Sequence, residues 1–188
     1  MQSIILASQS PRRKKLLEWA EIPFEVVLPE TDEQFPLDLN PTDAAIFIAK
    51  NKAQSVKNKV ATDQIILAAD TIVFLNGIII GKPADREDAI QILHSLSGIK
   101  HQVITGVVIS KAQVEISFSE ITEVEFYPLT SKEIEFYVDQ YKPFDKAGAY
   151  AIQEWIGVIG IKAIQGDFYN VMGLPISTVV KKLNTFLL

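Results

Sequence analysis

Two arginines at the start of a predicted helix are the first residues that could do chemistry. A short apolar strand, Ser3–Ala7, is followed by a turn that ends at Ser10, and Pro11 then begins a helix that opens with Arg12 and Arg13. Ser10 can cap this helix, so the free N–H groups of its first turn face the end of the strand. Phosphate binds at helix N-termini, and guanidinium groups add bidentate donors. On this segment alone, an anion site and a solvated basic helix start remain equally good interpretations.

A carboxylate and a lysine form the second candidate group. Asp70 follows the apolar run Ile65–Ala69, which predicts a buried strand that ends at Asp70. Asn76-Gly77 between two apolar runs predicts a two-residue hairpin, whose register places Lys82 opposite Thr71 and therefore beside Asp70. A carboxylate there is costly unless it projects into a cleft, and α/β sheets bind ligands beyond the carboxyl ends of their strands. The functional interpretation of Asp70 competes with a simple turn or helix cap.

Composition excludes several classes of function. The chain has 188 residues, a formal net charge of −5 and no cysteine, and its only histidines are His94 and His101. We therefore expect no broad nucleic-acid or anionic-membrane surface, no disulfide, no thiolate site and no histidine-rich zinc site. No apolar run reaches the roughly 18 residues that a membrane span needs, and no signal peptide is evident. We expect a cytoplasmic protein.

The remaining pattern predicts an α/β (α+β) chain with a mixed sheet, forming a single domain over residues 1–188. The predicted helices run from Pro11 to about Ala20, from Asn40-Pro41 with Val60 on the apolar side, from after Asp85 to Ser97-Gly98, from the capping box Thr130/Glu133 to Tyr141, and over Pro175–Phe186. Further strands are predicted at Phe24–Leu28, about His101–Ser110, Val114–Phe126 and near Trp155–Ile164. Loops are predicted at Pro29–Asn40 and Pro143–Tyr150.

Four sequence blocks together resemble the Maf-type nucleoside triphosphate pyrophosphatases over almost the whole chain. The blocks are Leu6–Arg13; Ala49–Ala53; Ala68–Thr71 with Gly81–Asp85 and Leu96–Gly98; and Asp145–Gln153. The resemblance implies a two-lobed fold with an elongated mixed central sheet, flanking helices and a cleft between the lobes. It also implies hydrolysis of nucleoside triphosphates to the monophosphate and pyrophosphate, a divalent cation such as Mg²⁺ or Mn²⁺, and a homodimer.

The resemblance also assigns roles to individual residues. It aligns Asp70 with the family's catalytic carboxylate and Glu33 with a metal-associated acid, so that Glu33 and Asp70 are the candidate metal ligands. The positions aligned with phosphate contacts are Ser8, Arg13, Lys52 and Lys82, and those that mark the branch preferring dTTP and UTP are Arg12, Thr71 and Gln153. From the residues alone, Lys52 or Lys82 could be an ordinary surface lysine. Phe47, Lys142 and Trp155 depart from the family's usual residues.

Two other functions keep the same site. The first is a nucleotide-binding regulator, for instance of septum formation, that senses a nucleotide without cleaving it. The second is a pyrophosphatase for inosine or xanthosine triphosphate, which changes the base and keeps the chemistry. Catalysis by Asp70 distinguishes an enzyme from a regulator, and a panel of nucleoside triphosphates distinguishes the bases.

Overall fold

The computed structural model describes residues 3–187, which form seven strands, seven α-helices and one 3₁₀ turn. The strands are β1 (Ile4–Ala7), β2 (Phe24–Val26), β3 (Ile66–Leu75), β4 (Ile78–Ile80), β5 (Lys100–Lys111), β6 (Val114–Phe126) and β7 (Ile161–Gln165). The helices are α1 (Pro11–Trp19), α2 (Pro41–Lys57), α3 (Arg86–Leu96), α4 (Ser131–Tyr141), α5 (Trp155–Gly160), α6 (Phe168–Met172) and α7 (Ile176–Leu187), with the 3₁₀ turn at Ala147–Ala149.

All seven strands belong to one mixed sheet, which confirms the predicted α/β class. The order is β2-β1-β3-β5-β6-β7, and β4 pairs with β3 outside this path. Strand β1 is parallel to both β2 and β3, whereas β4 is antiparallel to β3 and β7 is antiparallel to β6. No helix in residues 3–187 combines the length and the apolar character that crossing a membrane requires.

The chain divides into two compact units. The first contains the described residues of Met1–Thr71, Thr105–Glu120 and Gly173–Leu188, and the second contains Ile72–Ile104 and Ile121–Met172. In the first unit, α2 packs on the sheet through small side chains, among them Ala49 and Ala53. A Cβ at Gly106 would lie 2.3 Å from the backbone of Ala45, so glycine permits the close approach of α2 to β5. The prediction of one domain with two lobes stays a prediction.

Strand β3 corrects the prediction for Asp70. The predicted strand ended at Asp70, but β3 continues through that residue to Leu75. Its first half pairs with β1 at Ile66–Ala68, and its second half pairs with β4 at Val73–Leu75. Asp70 therefore lies inside a continuous strand. On its other edge β3 neighbours β5, so the strand continues past a polar residue beside a distant partner that an apolar run cannot reveal.

The segment from Trp155 to Ile164 is a second correction. Residues Trp155–Gly160 form α5, and only Ile161–Gln165 is a strand. The N–H groups of Gly157 and Val158 both donate to the carbonyl of Glu154, at 2.9 and 3.3 Å, which closes a helical turn. Short apolar runs do not distinguish a helix from a strand by period, so the strand prediction is wrong for Trp155–Gly160 and confirmed for Ile161–Ile164. Helix α6 was not predicted either.

The locally encoded features agree with prediction. Ser10, Asn40, Asp85 and Thr130 each cap a helix through the side chain, and Thr130 forms the capping box with Glu133. Residues Asn76 and Gly77 have φ of 50° and 87°, as a primed hairpin turn requires. The bounds differ slightly: α1 ends at Trp19, β2 ends at Val26, and α2 ends at Lys57, which leaves Val60 outside the helix.

Candidate functional site

A lysine and two carboxylates meet in the first unit. Helix α2 presents Lys52 toward β3, and the Lys52 Nζ donates to Asp70 Oδ1 at 2.5 Å and to Glu33 Oε1 at 2.9 Å. Asp70 and Lys52 are buried, at 6% and 8% exposure, whereas Glu33 is exposed in the loop before α2. The surface-lysine interpretation is therefore wrong for Lys52. Its ammonium group joins a buried carboxylate to an exposed one.

Arg13 is buried and held by three hydrogen bonds. Its Nε donates to the Gly173 carbonyl at 2.7 Å, Nη1 to Ser8 Oγ at 3.2 Å and Nη2 to Thr71 Oγ1 at 3.1 Å. The Thr71 hydroxyl also lies 2.9 Å from the hydroxyl of Thr105. The interpretation of a solvated helix start is wrong for Arg13. The guanidinium plane is fixed by acceptors from three separate parts of the chain.

Helix α1 creates this arrangement through its first turn. The Ser10 side chain accepts from the Arg13 N–H at 3.4 Å, and Pro11 stands at the first helical position. Ser8 is buried, and its Oγ also accepts from the Ser10 N–H at 3.2 Å. Arg12, which lies between Pro11 and Arg13 in the first turn of α1, is half-buried. The cap therefore turns Arg13 inward, toward the end of β1.

Burial and charge act in opposite directions on these groups. Burial raises the pKa of Asp70, and the positive charges of Lys52 and Arg13 oppose that rise. Burial likewise lowers the pKa of Arg13, while the negative charge of Asp70 opposes the fall. A carboxylate with a raised pKa is a stronger base than a solvated aspartate. Buried charges of both signs in one small region are typical of functional sites.

The second unit holds the other two predicted site residues. Lys82 is exposed and follows the hairpin, whose pairs Val73/Ile80, Phe74/Ile79 and Leu75/Ile78 confirm the predicted register. Strand β4 ends at Ile80, so the placement of Lys82 opposite Thr71 stays a prediction. The Gly148 N–H donates to the Gly81 carbonyl at 3.0 Å. This bond ties the residue before Lys82 to the Asp145–Gln153 block.

Gln153 is exposed in a turn that buried residues hold in place. Tyr137 of α4 donates its hydroxyl proton to Glu154, and the same oxygen accepts from the Ala151 N–H at 3.1 Å. The Tyr150 hydroxyl lies 2.8 Å from Nε2 of the buried His101. No sequence pattern indicated the roles of Tyr137 and Glu154 or the burial of His101. The available signal was that Glu154 follows Gln153 directly and that Tyr150 precedes it by three residues.

Glu33 and Asp70 fit the chemistry of a divalent cation such as Mg²⁺. Their carboxylate oxygens approach one cation already, because both accept from Lys52 Nζ. Mg²⁺ prefers oxygen ligands and commonly binds through one or two carboxylates together with substrate phosphates and water. Within residues 3–187, no group of three or more histidine, cysteine, aspartate or glutamate side chains forms a separate metal cluster. The donor set suits a metal shared with a substrate.

Seven of the nine predicted site residues lie in the first unit, and Lys82 and Gln153 lie in the second. Hydrogen bonds described above involve six of the seven, namely Ser8, Arg13, Glu33, Lys52, Asp70 and Thr71. Arg12, the seventh, is half-buried beside Arg13 on α1. This arrangement combines a buried carboxylate with cations and a capped helix N-terminus, and the latter two can stabilise a phosphate that gains charge. It resembles neither a serine-histidine triad nor a thiolate centre.

Comparison with known proteins identifies relatives over nearly the full chain. Residues 3–186 match the family described as Maf-like protein. A protein of Phocaeicola vulgatus named dTTP/UTP pyrophosphatase is 49% identical over 184 residues, which cover 96% of this chain and 95% of the relative. Relatives of the same name from Bacteroides thetaiotaomicron and Cytophaga hutchinsonii are 46% and 49% identical; each match covers 96% of this chain, and 94% and 82% of the respective relative.

A solved structure supports the fold. The Staphylococcus aureus Ham1 protein aligns with a TM-score of 0.50 over 96% of this chain and 100% of its own. The two sequences are 15% identical, so the likeness concerns the fold alone. The mixed α/β architecture is therefore shared with a known structure.

Proposed function

The chain belongs to the family of Maf-like proteins, and on that premise we propose that it hydrolyses dTTP and UTP to the monophosphate and pyrophosphate. The observation that supports catalysis is the buried Asp70 carboxylate, which Lys52 contacts and whose pKa burial raises. A carboxylate repels phosphate, so phosphate binding alone does not account for Asp70 at this position. A buried carboxylate beside cations is suited to accept a proton from water.

In the proposed reaction, water attacks the α-phosphorus and Asp70 accepts its proton. The new bond joins the water oxygen to the α-phosphorus, and the bond from the α-phosphorus to the oxygen bridging to the β-phosphorus breaks. Pyrophosphate leaves with the electron pair of that bond. Negative charge develops on the leaving group, so cations fixed beside it lower the barrier.

We assign the phosphate contacts to Ser8, Arg13, Lys52 and Lys82. Three of the five N–H donors of Arg13 bind protein acceptors, so the guanidinium is oriented before a substrate arrives. Fixed donors cost little reorganisation during reaction. Thr71, a residue expected to mark the substrate branch, contacts Arg13 through its hydroxyl. We therefore propose that Thr71 acts on the substrate through Arg13.

A divalent cation is the proposed cofactor, with Glu33 and Asp70 as its protein ligands. When bound, Mg²⁺ or Mn²⁺ would supply positive charge to the phosphate oxygens. Lys52 contacts both carboxylates, and its charge keeps them close together without the metal. Glu33 is exposed on a loop, so its carboxylate can move from Lys52 to another cation.

Base selection is assigned to Gln153 and Arg12. The Gln153 amide can donate to a pyrimidine carbonyl and accept from N3–H, which are the groups that uracil and thymine present. The Arg12 guanidinium only donates, so it suits a carbonyl and opposes the amino group of cytosine. Sites that rely on such hydrogen bonds reject a mismatched analogue by up to ~10⁴-fold. UTP and dTTP should therefore be good substrates and CTP a poor one.

A substrate panel tests this function. We expect pyrophosphate release from dTTP and UTP, with kcat/KM for CTP and GTP lower, and smaller selectivity in Gln153→Ala. Equal use of CTP by the wild type would place base reading elsewhere, and preference for ITP or XTP would favour the purine enzyme. Binding of every nucleotide without release of pyrophosphate would favour a regulator. A homodimer and a cytoplasmic location, where nucleoside triphosphates are used, complete the proposal.

A further inference from the structure

We infer that Tyr137 and Glu154 are positioning residues that hold Gln153 in the orientation needed to discriminate uracil and thymine from cytosine. This inference rests on the proposed function, because it concerns how the same site selects its base. Neither residue is assigned a contact with the substrate. Their proposed effect passes through the backbone of the turn that carries Gln153.

The turn is short and closed by its own backbone. The Glu154 N–H donates to the Ala151 carbonyl at 3.0 Å, so Ala151–Glu154 form a tight turn with Gln153 at its third position. Gln153 is exposed, whereas Ala151 and Ile152 are buried. The Gln153 amide is thus carried by the one exposed residue of the turn Ala151–Glu154.

One hydroxyl group fixes both ends of this turn. Tyr137 is fully buried on α4, and its hydroxyl accepts from the Ala151 N–H while donating to the Glu154 carboxylate. A phenol has one proton to donate, so both of its principal roles are used. The bond to the carboxylate is charge-assisted and therefore strong. Gln153 lies between the two residues that Tyr137 holds.

Glu154 is in turn held from a second direction. The buried Lys146 ammonium lies 3.7 Å from Glu154 Oε1, and it contacts Asp145 at 2.7 Å. Glu154 also caps the backbone of α5, because its carbonyl accepts from the Gly157 N–H at 2.9 Å. The exposed side chain of Gln153 therefore extends from a frame that links α4, α5 and the Asp145–Gln153 block.

An amide reads a base only if its orientation is constrained. A Gln side chain that can rotate presents its oxygen or its nitrogen, and so accepts cytosine as readily as uracil. A fixed backbone restricts the first side-chain torsion of Gln153, and so limits where its amide can be presented to the base. Loosening the turn should therefore harm discrimination more than it harms turnover, because Asp70 and Arg13 lie outside the turn.

The test compares Tyr137→Phe with the wild type, using kcat/KM for UTP and CTP. Removing the single hydroxyl should lower the UTP-to-CTP ratio on the order of tenfold, with kcat for dTTP within about threefold of the wild-type value. Tyr141→Phe is the matched control, because it removes a hydroxyl one turn along the same helix, from a ring stacked on Tyr137 at 5.0 Å. That control should keep the wild-type ratio.

A double variant separates positioning from general damage. If Tyr137 acts through Gln153, then Tyr137→Phe in a Gln153→Ala background should cause no further loss of selectivity. Glu154→Ala approaches the same bond from its other end, and it serves if Tyr137→Phe does not fold. Glu154→Gln keeps an acceptor oxygen, so it should retain most of the discrimination.

The outcomes distinguish failure of the positioning role of Tyr137 and Glu154 from failure of base recognition by Gln153. An unchanged ratio in Tyr137→Phe and Glu154→Ala, with a reduced ratio in Gln153→Ala, would refute positioning and leave base reading by Gln153 intact. Additive losses in the double variant would also refute it. If Gln153→Ala keeps the wild-type ratio, base reading by Gln153 fails and this inference fails with it.

Discussion

Replacing Asp70 by asparagine removes the proposed base and keeps the shape of the side chain. Loss of a general base typically lowers kcat by about 10²- to 10⁴-fold, which corresponds to roughly 2.7–5.5 kcal/mol of activation free energy. We expect Asp70→Asn to reduce kcat for dTTP by a factor in that range while the variant still binds dTTP. The amide oxygen can accept from Lys52 but cannot take a proton from water.

The stability of the same variant should change little. The Lys52 ammonium keeps its contact with Glu33 at 2.9 Å, so it is not left without a negative partner. Burial opposes the ionisation of Asp70, and the substitution removes that cost. A net change of about 1 kcal/mol corresponds to about 2–4 °C in Tm for a chain of this size. We therefore expect a Tm within about 4 °C of the wild type.

The assay is the initial rate of pyrophosphate release from dTTP, with the Tm measured on the same samples. Asp63→Asn is the matched control: it makes the same exchange at an exposed position in the turn before β3, and it should keep wild-type activity and Tm. A near-wild-type rate for Asp70→Asn would refute the catalytic assignment. Inactivity accompanied by unfolding would show that Asp70 is structural.

Three further predictions address the other charged and buried groups. Lys82→Ala should lower kcat/KM for dTTP with unchanged Tm, because Lys82 is exposed. Arg13→Ala should lower both kcat/KM and Tm, because it leaves three acceptors without their donor. A Lys82→Ala enzyme of full activity would remove Lys82 from the phosphate contacts. EDTA should stop pyrophosphate release and Mg²⁺ or Mn²⁺ should restore it, so full activity in EDTA would contradict the metal requirement. Burial lowers the pKa of His101 from 6.5 to about 4. Between these pH values the imidazole binds a proton in the unfolded chain but not in the folded one. The free energy of unfolding therefore decreases as the pH falls, by up to about 3 kcal/mol at pH 4. Urea unfolding from pH 7.5 to 4.5 should show a steeper loss in the wild type than in His101→Gln, and equal slopes would contradict this origin.

Features that depend on neighbouring residues could be predicted from the sequence. Ser10, Asn40, Asp85 and Thr130 cap their helices through bonds to residues three positions away. The Asn76-Gly77 turn likewise depends on two backbone conformations that these residues tolerate. The motif blocks also predicted the family, since they preserve residue types in a fixed order. Such signals lie within a few positions and do not require the fold.

Burial of the charged groups was decided by tertiary structure. Lys52 and Asp70 are 18 residues apart, and Arg13 contacts the carbonyl of Gly173 across 160 residues. No local pattern distinguishes such side chains from solvated ones, because the burial of a cation depends on which distant acceptors surround it. The continuation of β3 through Asp70 likewise depends on distant strands, because β3 lies between β1 and β5 in the sheet.

The turn that carries Gln153 shows the same division between sequence and fold. The Asp145–Gln153 block identified the residue, but Tyr137, which bonds to both ends of that turn, lies on α4, 14 residues from Ala151 and 17 from Glu154. A single hydroxyl can satisfy both ends only after α4 has packed beside the turn. The sequence by itself determined which side chains the site could use. The tertiary structure decided which of them are buried, which opposite charges lie in contact and how the side chains are oriented, because those properties arise from contacts between distant residues.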